Sequence, residues 1–279
     1  MKKTTLLLVL CLGLFAASSC NGQNGEKEQE VLLETTAGNI RIRLFNDTPG
    51  HRDNFLKNVR EGLYDGVSFH RIIRGFMIQT GDPNTRPGHE ADLAAAQSDS
   101  AAPSPTIPAE IVYPKYFHKR GMVAAAREGD EVNPDRRSDA TQFYIVTGKF
   151  QNEAAMASYV QARNERAVER LYEKKVQENA EELEDLRRAR KMNKLSDKLE
   201  SLLDMARLEV SQNPPGDYGP EQIRAYRTVG GAPWLDEEYS IFGEVVEGMK
   251  VVLDLEKTKT DANDRPVKDV RVVKATILN

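Results

Sequence analysis

The stretch that decides the fold is VSFHRIIRGFMIQTGD, residues 67–82. Its aromatic and β-branched residues are typical of one or two β-strands. A cation at Arg71, an aromatic ring at Phe76, a thioether at Met77 and an amide at Gln79 fall within this window. Together they are an unusual set for one strand surface. The window alone leaves two interpretations open: a strand with a surface arginine and core aromatics, or one wall of a binding site.

Sequence on both sides of this stretch predicts a β-rich domain. Residues 31–36 and 40–45 are short strand-like runs around a turn signal at Ala37-Gly38-Asn39, which indicates a hairpin with one buried face. A helix is predicted from Thr48-Pro49 to Gly62, because proline favours the first helical turn and glycine favours helix ends. Further strand-like runs occur at 121–126, 142–146, 239–245 and 269–278, and the Ala-, Ser- and Pro-rich residues 84–108 are typical of an exposed loop.

Residues 149–228 predict a helical insertion into this domain. Residues 151–211 contain neither proline nor glycine, and Leu195, Leu199 and Leu202 recur at helical spacing. This pattern indicates one long or two medium amphipathic helices, and 221–228 allows one further short helix. The leucine stripe fits helices that pack on each other or on the β-rich domain, or else an arm that binds a partner. The β-rich domain itself is predicted to comprise 31–148 plus 229–279.

The N-terminus has the features of a targeting segment. A basic start precedes an apolar run over residues 4–17, which is short for a transmembrane helix of about 20 residues but fits a secretory signal. Small residues then lead to Cys20, so residues 1–20 resemble a bacterial lipoprotein signal peptide in which that cysteine is acylated. The alternative is an ordinary signal peptide with an incidental cysteine. With 21–30 as a flexible tether, we expect an exported protein, anchored through Cys20 to the lipid bilayer of the cell envelope, on the periplasmic side or at the cell surface.

The composition narrows the function classes. The chain has 279 residues, 39 Lys+Arg and 43 Asp+Glu, for a net charge of −4. Neither a polytopic membrane protein nor a nucleic-acid binder is therefore expected. Both cysteines, Cys11 and Cys20, precede the predicted domain, which excludes a disulfide framework or a thiol catalyst in its body. The four histidines fit no metal motif, so no metal and no cofactor are expected.

Several blocks of the sequence resemble the cyclophilins, the peptidyl-prolyl cis-trans isomerases. Residues 69–82, FHRIIRGFMIQTGD, look like the family signature. Further along, IPAE at 107–110 and GMVAAA at 121–126 are similar to consecutive family segments, and TQFYI at 141–145 is similar to Ser-Gln-Phe-Phe-Ile. WLD at 234–236 and FGEVVEGM at 242–249 are similar to its Trp-Leu-Asp and Val-Phe-Gly-x-Val-x-x-Gly blocks. The blocks keep the family's order, and the helical insertion falls between two of them.

The resemblance implies a mainly β fold: a closed eight-stranded antiparallel barrel capped by helices, here with an α-helical insertion. It also implies catalysis of X–Pro isomerisation, whose uncatalysed barrier is about 18–20 kcal/mol. In the family, the arginine that matches Arg71 donates to the prolyl nitrogen of the twisted amide, and the amide that matches Gln79 binds the substrate backbone and orients the arginine. The implied substrate-binding residues are Phe76, Met77, Ala126, Arg127, Gln142, Phe143, Tyr144, Trp234, Leu235 and Tyr239.

Some positions depart from the family pattern. Arg127 stands where the family has an asparagine, Tyr239 where it has a histidine, and Tyr144 where it has its second phenylalanine. His70, beside Arg71, could be read as a general base, but the matching family residue is structural. The implied partners are proline-containing peptides and unfolded envelope proteins. The alternative function is a non-catalytic, chaperone-like module that binds clients or a partner through this fold and the helical insertion.

Overall fold

The computed structural model describes residues 27–89 and 104–278. The predicted signal peptide, Cys20, most of the predicted tether and the middle of the predicted 84–108 loop lie outside the described residues. Among those that are described, no helix is both long and apolar enough to cross a bilayer.

An antiparallel sheet forms the centre of the described structure. Its strands follow the order β10-β1-β2-β9-β6-β8-β4-β3. Two-residue strands β5 and β7 pair separately. The strands are β1 Glu30–Thr35, β2 Gly38–Leu44, β3 Arg71–Ile73, β4 Met77–Thr80, β5 Thr106–Ile107, β6 Met122–Ala125, β7 Ser138–Asp139, β8 Phe143–Val146, β9 Ile241–Glu247 and β10 Val272–Leu278.

The first hairpin forms where the sequence predicts it, but its turn is shifted. Thr35 pairs directly with Gly38, so the turn residues are Thr36 and Ala37 and the Gly-Asn pair already belongs to β2. The Thr35 hydroxyl donates to the Gly38 carbonyl at 2.6 Å and accepts from the Ala37 N–H at 3.1 Å. This side chain therefore closes the turn, a role that threonine shares with serine and aspartate.

The sheet separates two apolar clusters, because successive side chains on a strand point to opposite faces. On one face Ile72, Ile78 and Phe143 pack beneath helix α1, Pro49–Arg60, and helix α6, Met249–Leu255. On the other face Met77 and Tyr144 pack with residues of the 232–241 segment. The first cluster is the core of the domain, and the second forms the floor of the site described below.

The predicted closed barrel is wrong, because the sheet is open between β3 and β10. No strand ladder joins these two end strands. The chain just before β3 faces β10 instead, through an isolated bridge between Ser68 and Arg271 and a 2.8 Å hydrogen bond from the Phe69 N–H to the Val270 carbonyl. Gly66, with a φ of 83°, sits at the turn that starts this segment, so the segment lacks the continuous extended conformation that a ladder needs.

Residues 153–228 fold into four helices: α2 Glu153–Glu178, α3 Ala180–Arg188, α4 Met192–Gln212 and α5 Pro220–Thr228. The stretch predicted as one or two helices therefore holds three. The extra breaks fall at Asn179 and at Arg190, whose φ of 53° lies in the left-handed region. Leu183, Leu195 and Leu202 are buried against one another, so the leucine stripe packs helix on helix.

Candidate active site

Strand register places the predicted catalytic residues side by side. Arg71 on β3 pairs with Gln79 on β4, Gln79 pairs with Tyr144 on β8, and Tyr144 pairs with Ala124 on β6. Neighbouring strands lie about 4.8 Å apart, so these residues form one row across four strands. Because paired residues share a face of the sheet, the row brings Arg71, Gln79 and Tyr144 to the same side.

A hollow of about 160 Å³ opens beside this row, and we call it the prolyl pocket. Strand residues form one side of it, and residues after β6 and between 235 and 239 form the other. Its lining is Arg71, Phe76, Met77, Gln79, Ala126, Arg127, Tyr144, Leu235 and Tyr239. The structure therefore brings together nine of the twelve residues that the sequence predicts, although they come from three distant parts of the chain.

Two of the other three predicted residues support the prolyl pocket from outside its lining. Gln142 accepts a 3.0 Å hydrogen bond from the Gln79 side-chain amide, which fixes the orientation of that amide. The Trp234 ring packs against Phe76 with centroids 5.3 Å apart. Trp234 therefore supports the Phe76 ring, and Gln142 supports the Gln79 side-chain amide.

The prediction that Phe143 lines the prolyl pocket is wrong. Phe143 lies in the core on the opposite face, where its ring packs against Phe55 and Tyr64. The reason is the two-residue period of the strand, since Phe143 and Tyr144 are consecutive in β8 and must face opposite ways. Tyr144 is the residue that faces the pocket.

Arg71 is held at one atom and open at the others. Its Nε lies 3.6 Å from a carboxylate oxygen of Asp264, and 46% of its side chain is exposed. Asp264 is itself fixed because its carbonyl accepts a 2.9 Å hydrogen bond from the Ile72 N–H. A guanidinium carries five N–H donors in a planar fork, so this single contact orients Arg71 while its terminal nitrogens can still donate to a ligand.

A buried hydrogen-bond network supports the floor of the pocket. The Tyr144 hydroxyl lies 3.1 Å from Nε2 of His118, and Nδ1 of His118 lies 2.9 Å from an oxygen of Asp236. The Tyr226 hydroxyl donates to the other oxygen of Asp236 at 2.6 Å. Burial raises the pKa of Tyr144 well above its usual value, so its hydroxyl stays protonated.

Sequence reasoning missed His118, Asp236 and Tyr226 as parts of the site. One signal could have found them. A tyrosine in place of a phenylalanine brings a hydroxyl into an apolar floor, and a buried hydroxyl needs a partner. Tyr226 belongs to α5, so this helix contributes directly to the network.

The second wall of the pocket carries two of the departures from the family pattern, Arg127 and Tyr239. The Arg127 guanidinium lies 4.7 Å from the centre of the Tyr239 ring, within range of a cation–π interaction. Arg127 also donates to the Glu238 carbonyl at 2.8 Å. Burial raises the pKa of the Tyr239 hydroxyl. The two substituted residues therefore contact each other directly.

Helix α2 braces this second wall. The buried carboxylate of Glu238 lies 3.1 Å from Arg166 and 2.5 Å from Arg170, and Glu237 pairs with Arg163 at 2.6 Å. The three arginines are spaced by three and four residues, which puts them on one helix face. That spacing is visible in the sequence and could have predicted an acidic partner for the helix.

The chain is similar to known proteins along most of its length. The family model described as cyclophilin type peptidyl-prolyl cis-trans isomerase/CLD matches residues 30–277. A putative peptidyl-prolyl cis-trans isomerase of Staphylococcus epidermidis is 27% identical over 252 residues, which cover 90% of this chain and 92% of that protein. Another, of Staphylococcus aureus, is 25% identical with 90% and 92% coverage.

A solved structure supports the fold. The crystal structure of a cyclophilin type peptidyl-prolyl cis-trans isomerase of Cryptosporidium parvum matches 90% of this chain and 98% of its own, with a TM-score of 0.51 and 18% identity. The same enzyme has been crystallised in the presence of the dipeptide Ala-Pro. The chain belongs to the cyclophilin-type peptidyl-prolyl cis-trans isomerases, which confirms the resemblance and the enzyme class predicted from the sequence.

Proposed function

We propose that the prolyl pocket is the catalytic site and that it isomerises X–Pro bonds in exported, proline-containing proteins. The observation that carries this proposal is the row of Arg71 and Gln79 beside a small hollow lined by Phe76, Met77 and Leu235. A proline ring is compact and apolar, and the hollow offers it apolar walls next to a fixed cation.

The chemistry that we propose needs no covalent step. Amide resonance creates the barrier to rotation, and twisting the bond makes the prolyl nitrogen an acceptor. A donor from Arg71 to that nitrogen lowers the barrier only if the contact is stronger in the twisted state than in either planar isomer. Gln79, held by Gln142, would bind the substrate backbone and keep it still while the bond turns.

Arg71→Ala tests this mechanism in a cis–trans exchange assay on a proline-containing peptide. We expect kcat/KM to fall by roughly 10²–10³-fold, as for removal of a key transition-state donor. Arg71→Lys should restore only part of the loss, because an ammonium lacks the planar fork. Arg74→Ala, which removes an exposed arginine from the next turn, is the matched control. Wild-type activity in Arg71→Ala would refute the mechanism.

We also propose that the protein is exported and anchored through acylated Cys20, with a cyclophilin-like domain of residues 31–148 plus 229–279 and an insertion of 149–228. The support is the basic, apolar and small-residue order of residues 1–20. In a native host, radiolabelled fatty acid should enter the wild-type chain, and Cys20→Ala should lose the label and leave the membrane fraction. Equal labelling of both chains would contradict the anchor.

A second candidate function is client holding by the insertion. It is favoured by a groove of about 710 Å³ between α2 and α4, where Val168, Tyr172 and Leu203 contribute apolar surface. Deleting the insertion is a poor test, because Tyr226 and α2 support the prolyl pocket. Val168→Glu is better: protection of an aggregating client should fall while peptide isomerisation stays normal. Unchanged protection would leave this second function without support.

A further inference from the structure

A second hollow, of about 140 Å³, lies beside residues 68–70, immediately before the strand that carries Arg71. It shares no lining residue with the prolyl pocket. We call it the arginine pocket. Its lining is Ser68, Phe69, His70, Asn84, Thr85, Arg86, Arg265, Pro266, Asp269 and Arg271.

Three guanidiniums surround this hollow, and two of them are fixed in place. Arg271 donates to the Gly66 and Thr85 carbonyls at 2.8 and 2.6 Å and pairs with Asp269. Arg86 donates to the Leu63 carbonyl. Because the backbone holds these arginines, they cannot swing apart to relieve their mutual repulsion.

The negative charge at the hollow is too small to balance the arginines. Asp269 is the acidic residue in the lining, and it is already paired with Arg271. Asp82 acts on His70 only from a distance. Within residues 27–89 and 104–278, the Arg265 guanidinium has no ion-pair or hydrogen-bond partner. The hollow therefore has an excess of positive charge.

Two buried nitrogen atoms at the hollow lack a partner within the described part of the chain. They are Nδ1 of His70 and Nε of Arg86. A buried polar atom without a hydrogen bond costs roughly 1–3 kcal/mol, so such atoms usually face a ligand or an ordered water. Burial lowers the pKa of His70, so its imidazole is neutral and can either donate or accept.

We propose that the arginine pocket binds a phosphate group. Guanidiniums bind phosphate through paired N–H donors, and three of them around one small hollow offer more donors than a planar carboxylate can accept. The phosphate would balance the excess charge and accept from the Arg265 guanidinium, which lines the hollow. It could come from free inorganic phosphate or from the terminal phosphate of a monoester, which present the same chemistry to the pocket.

Titration calorimetry on the full chain tests this proposal, with inorganic phosphate as the probe and chloride at equal ionic strength as the reference. We expect saturable binding of phosphate and none of chloride. Arg265→Gln should weaken it roughly tenfold or more, the worth of one charged hydrogen bond. Arg224→Gln, which removes an exposed arginine on α5, is the matched control and should leave the affinity unchanged.

A second variant is expected to raise the phosphate affinity. A rise cannot result from misfolding, so this variant tests the proposal even if Arg265→Gln fails to fold. Asp269→Asn removes the competing carboxylate, so phosphate affinity should rise. A parallel titration with glycerol phosphate separates the sources: equal affinity identifies a monoester site, and loss of affinity identifies a site for the free ion. The proposal fails if phosphate acts no differently from chloride, if Arg224→Gln weakens binding as much as Arg265→Gln, or if Asp269→Asn leaves the affinity unchanged, as expected of a hollow that holds only water.

Discussion

The two walls of the prolyl pocket are built in different ways. The first wall consists of adjacent strands, whose backbone ladders set the positions of Arg71, Gln79 and Tyr144. The second wall consists of Ala126 and Arg127 after β6 and of residues between Leu235 and Tyr239. These residues lie outside the strands of the sheet, and the ion pairs of Glu238 hold them. A backbone ladder resists loss of any one side chain, whereas a wall held by a few ion pairs depends on each of them.

The brace of the second wall comes from outside the sheet. Glu238 is nearly buried and lies within 4 Å of arginines from α2 and from the 127–136 segment. Helix α2 therefore supports this wall through the ion pairs of Arg166 and Arg170 with Glu238. Substitutions in each wall can separate the two kinds of support.

The largest effect is expected from Glu238→Ala. Removing this carboxylate leaves Asp130 as the shared counter-charge of Arg127, Arg136 and Arg170. Arg166 loses its ion pair with Glu238. Breaking such a buried ion pair typically costs about 3–5 kcal/mol of unfolding free energy. The second wall should also loosen, so kcat/KM should fall. Urea unfolding and the peptide assay measure both quantities. Glu184→Ala, which removes an exposed partner of Arg187 and Arg188 on α3, is the matched control and should leave stability close to that of the wild type.

A smaller and purely functional effect is expected from Gln79→Ala. The β3–β4 and β4–β8 ladders remain, so stability should change by about 1 kcal/mol or less. Activity should fall about tenfold in kcat/KM, because the substrate backbone loses a fixed hydrogen bond and Gln142 loses its donor. If stability fell as far as in Glu238→Ala, the contrast between the two walls would be wrong.

Arg170→Gln weakens the brace without abolishing it. Arg166 still pairs with Glu238, so we expect kcat/KM to fall only a few-fold, about 1 kcal/mol. The effect should shrink when the assay is run at high salt, because screening already weakens the wild-type pair. Arg207→Gln on α4, an exposed partner of Asp204, provides the control. A loss as large as that of Arg71→Ala would mean that Arg170 contacts the substrate.

The smallest change is expected from pH, which should affect stability more than activity. His51 lies 2.6 Å from Glu110. Burial lowers the pKa of His51 below 6.5. Partial burial alone would raise the pKa of Glu110, but hydrogen bonds from His51 and from the backbone N–H groups of Gly50 and His51 bring it below 4.5.

Both shifts act in the same direction. Below about pH 6.5 the unfolded chain binds a proton at His51 more readily than the folded chain, and below about pH 4.5 the same holds for Glu110, so stability is lost as pH falls through these ranges. Thermal unfolding from pH 8 to 4 should show this decline in stability, and His51→Asn should flatten the part of the decline nearest pH 6.5.

Peptide isomerisation should stay level between about pH 6.5 and 9, because guanidinium is a permanent cation and burial raises the pKa of Tyr144 and Tyr239. An ionisation step in kcat/KM within that range would contradict this account of the pocket.

Much of the first wall was predictable from the sequence, because it rests on local patterns. The window 67–82 contains Arg71, Phe76, Met77 and Gln79 in one continuous stretch, and strand alternation fixes which of them share a face. The same rule shows that consecutive Phe143 and Tyr144 face opposite ways. It is the pairing of Tyr144 with Gln79 that decides which of the two faces the pocket.

The second wall could not be predicted in the same way. The ion pairs of Glu238 and the contact between Tyr226 and Asp236 join segments whose relative placement depends on tertiary packing. The opening of the sheet between β3 and β10 was also not predicted. A sequence pattern shows which residues are extended, but not whether the two end strands of a sheet pair with each other.

The open sheet places Arg71 on a border strand. Its side chain is 46% exposed, so an extended polypeptide can approach it from the side of the sheet. If Arg71 acts as proposed, a substrate would not need to enter by a free end. Prolines in the middle of a long, partly folded chain would then be substrates as well as those near a terminus.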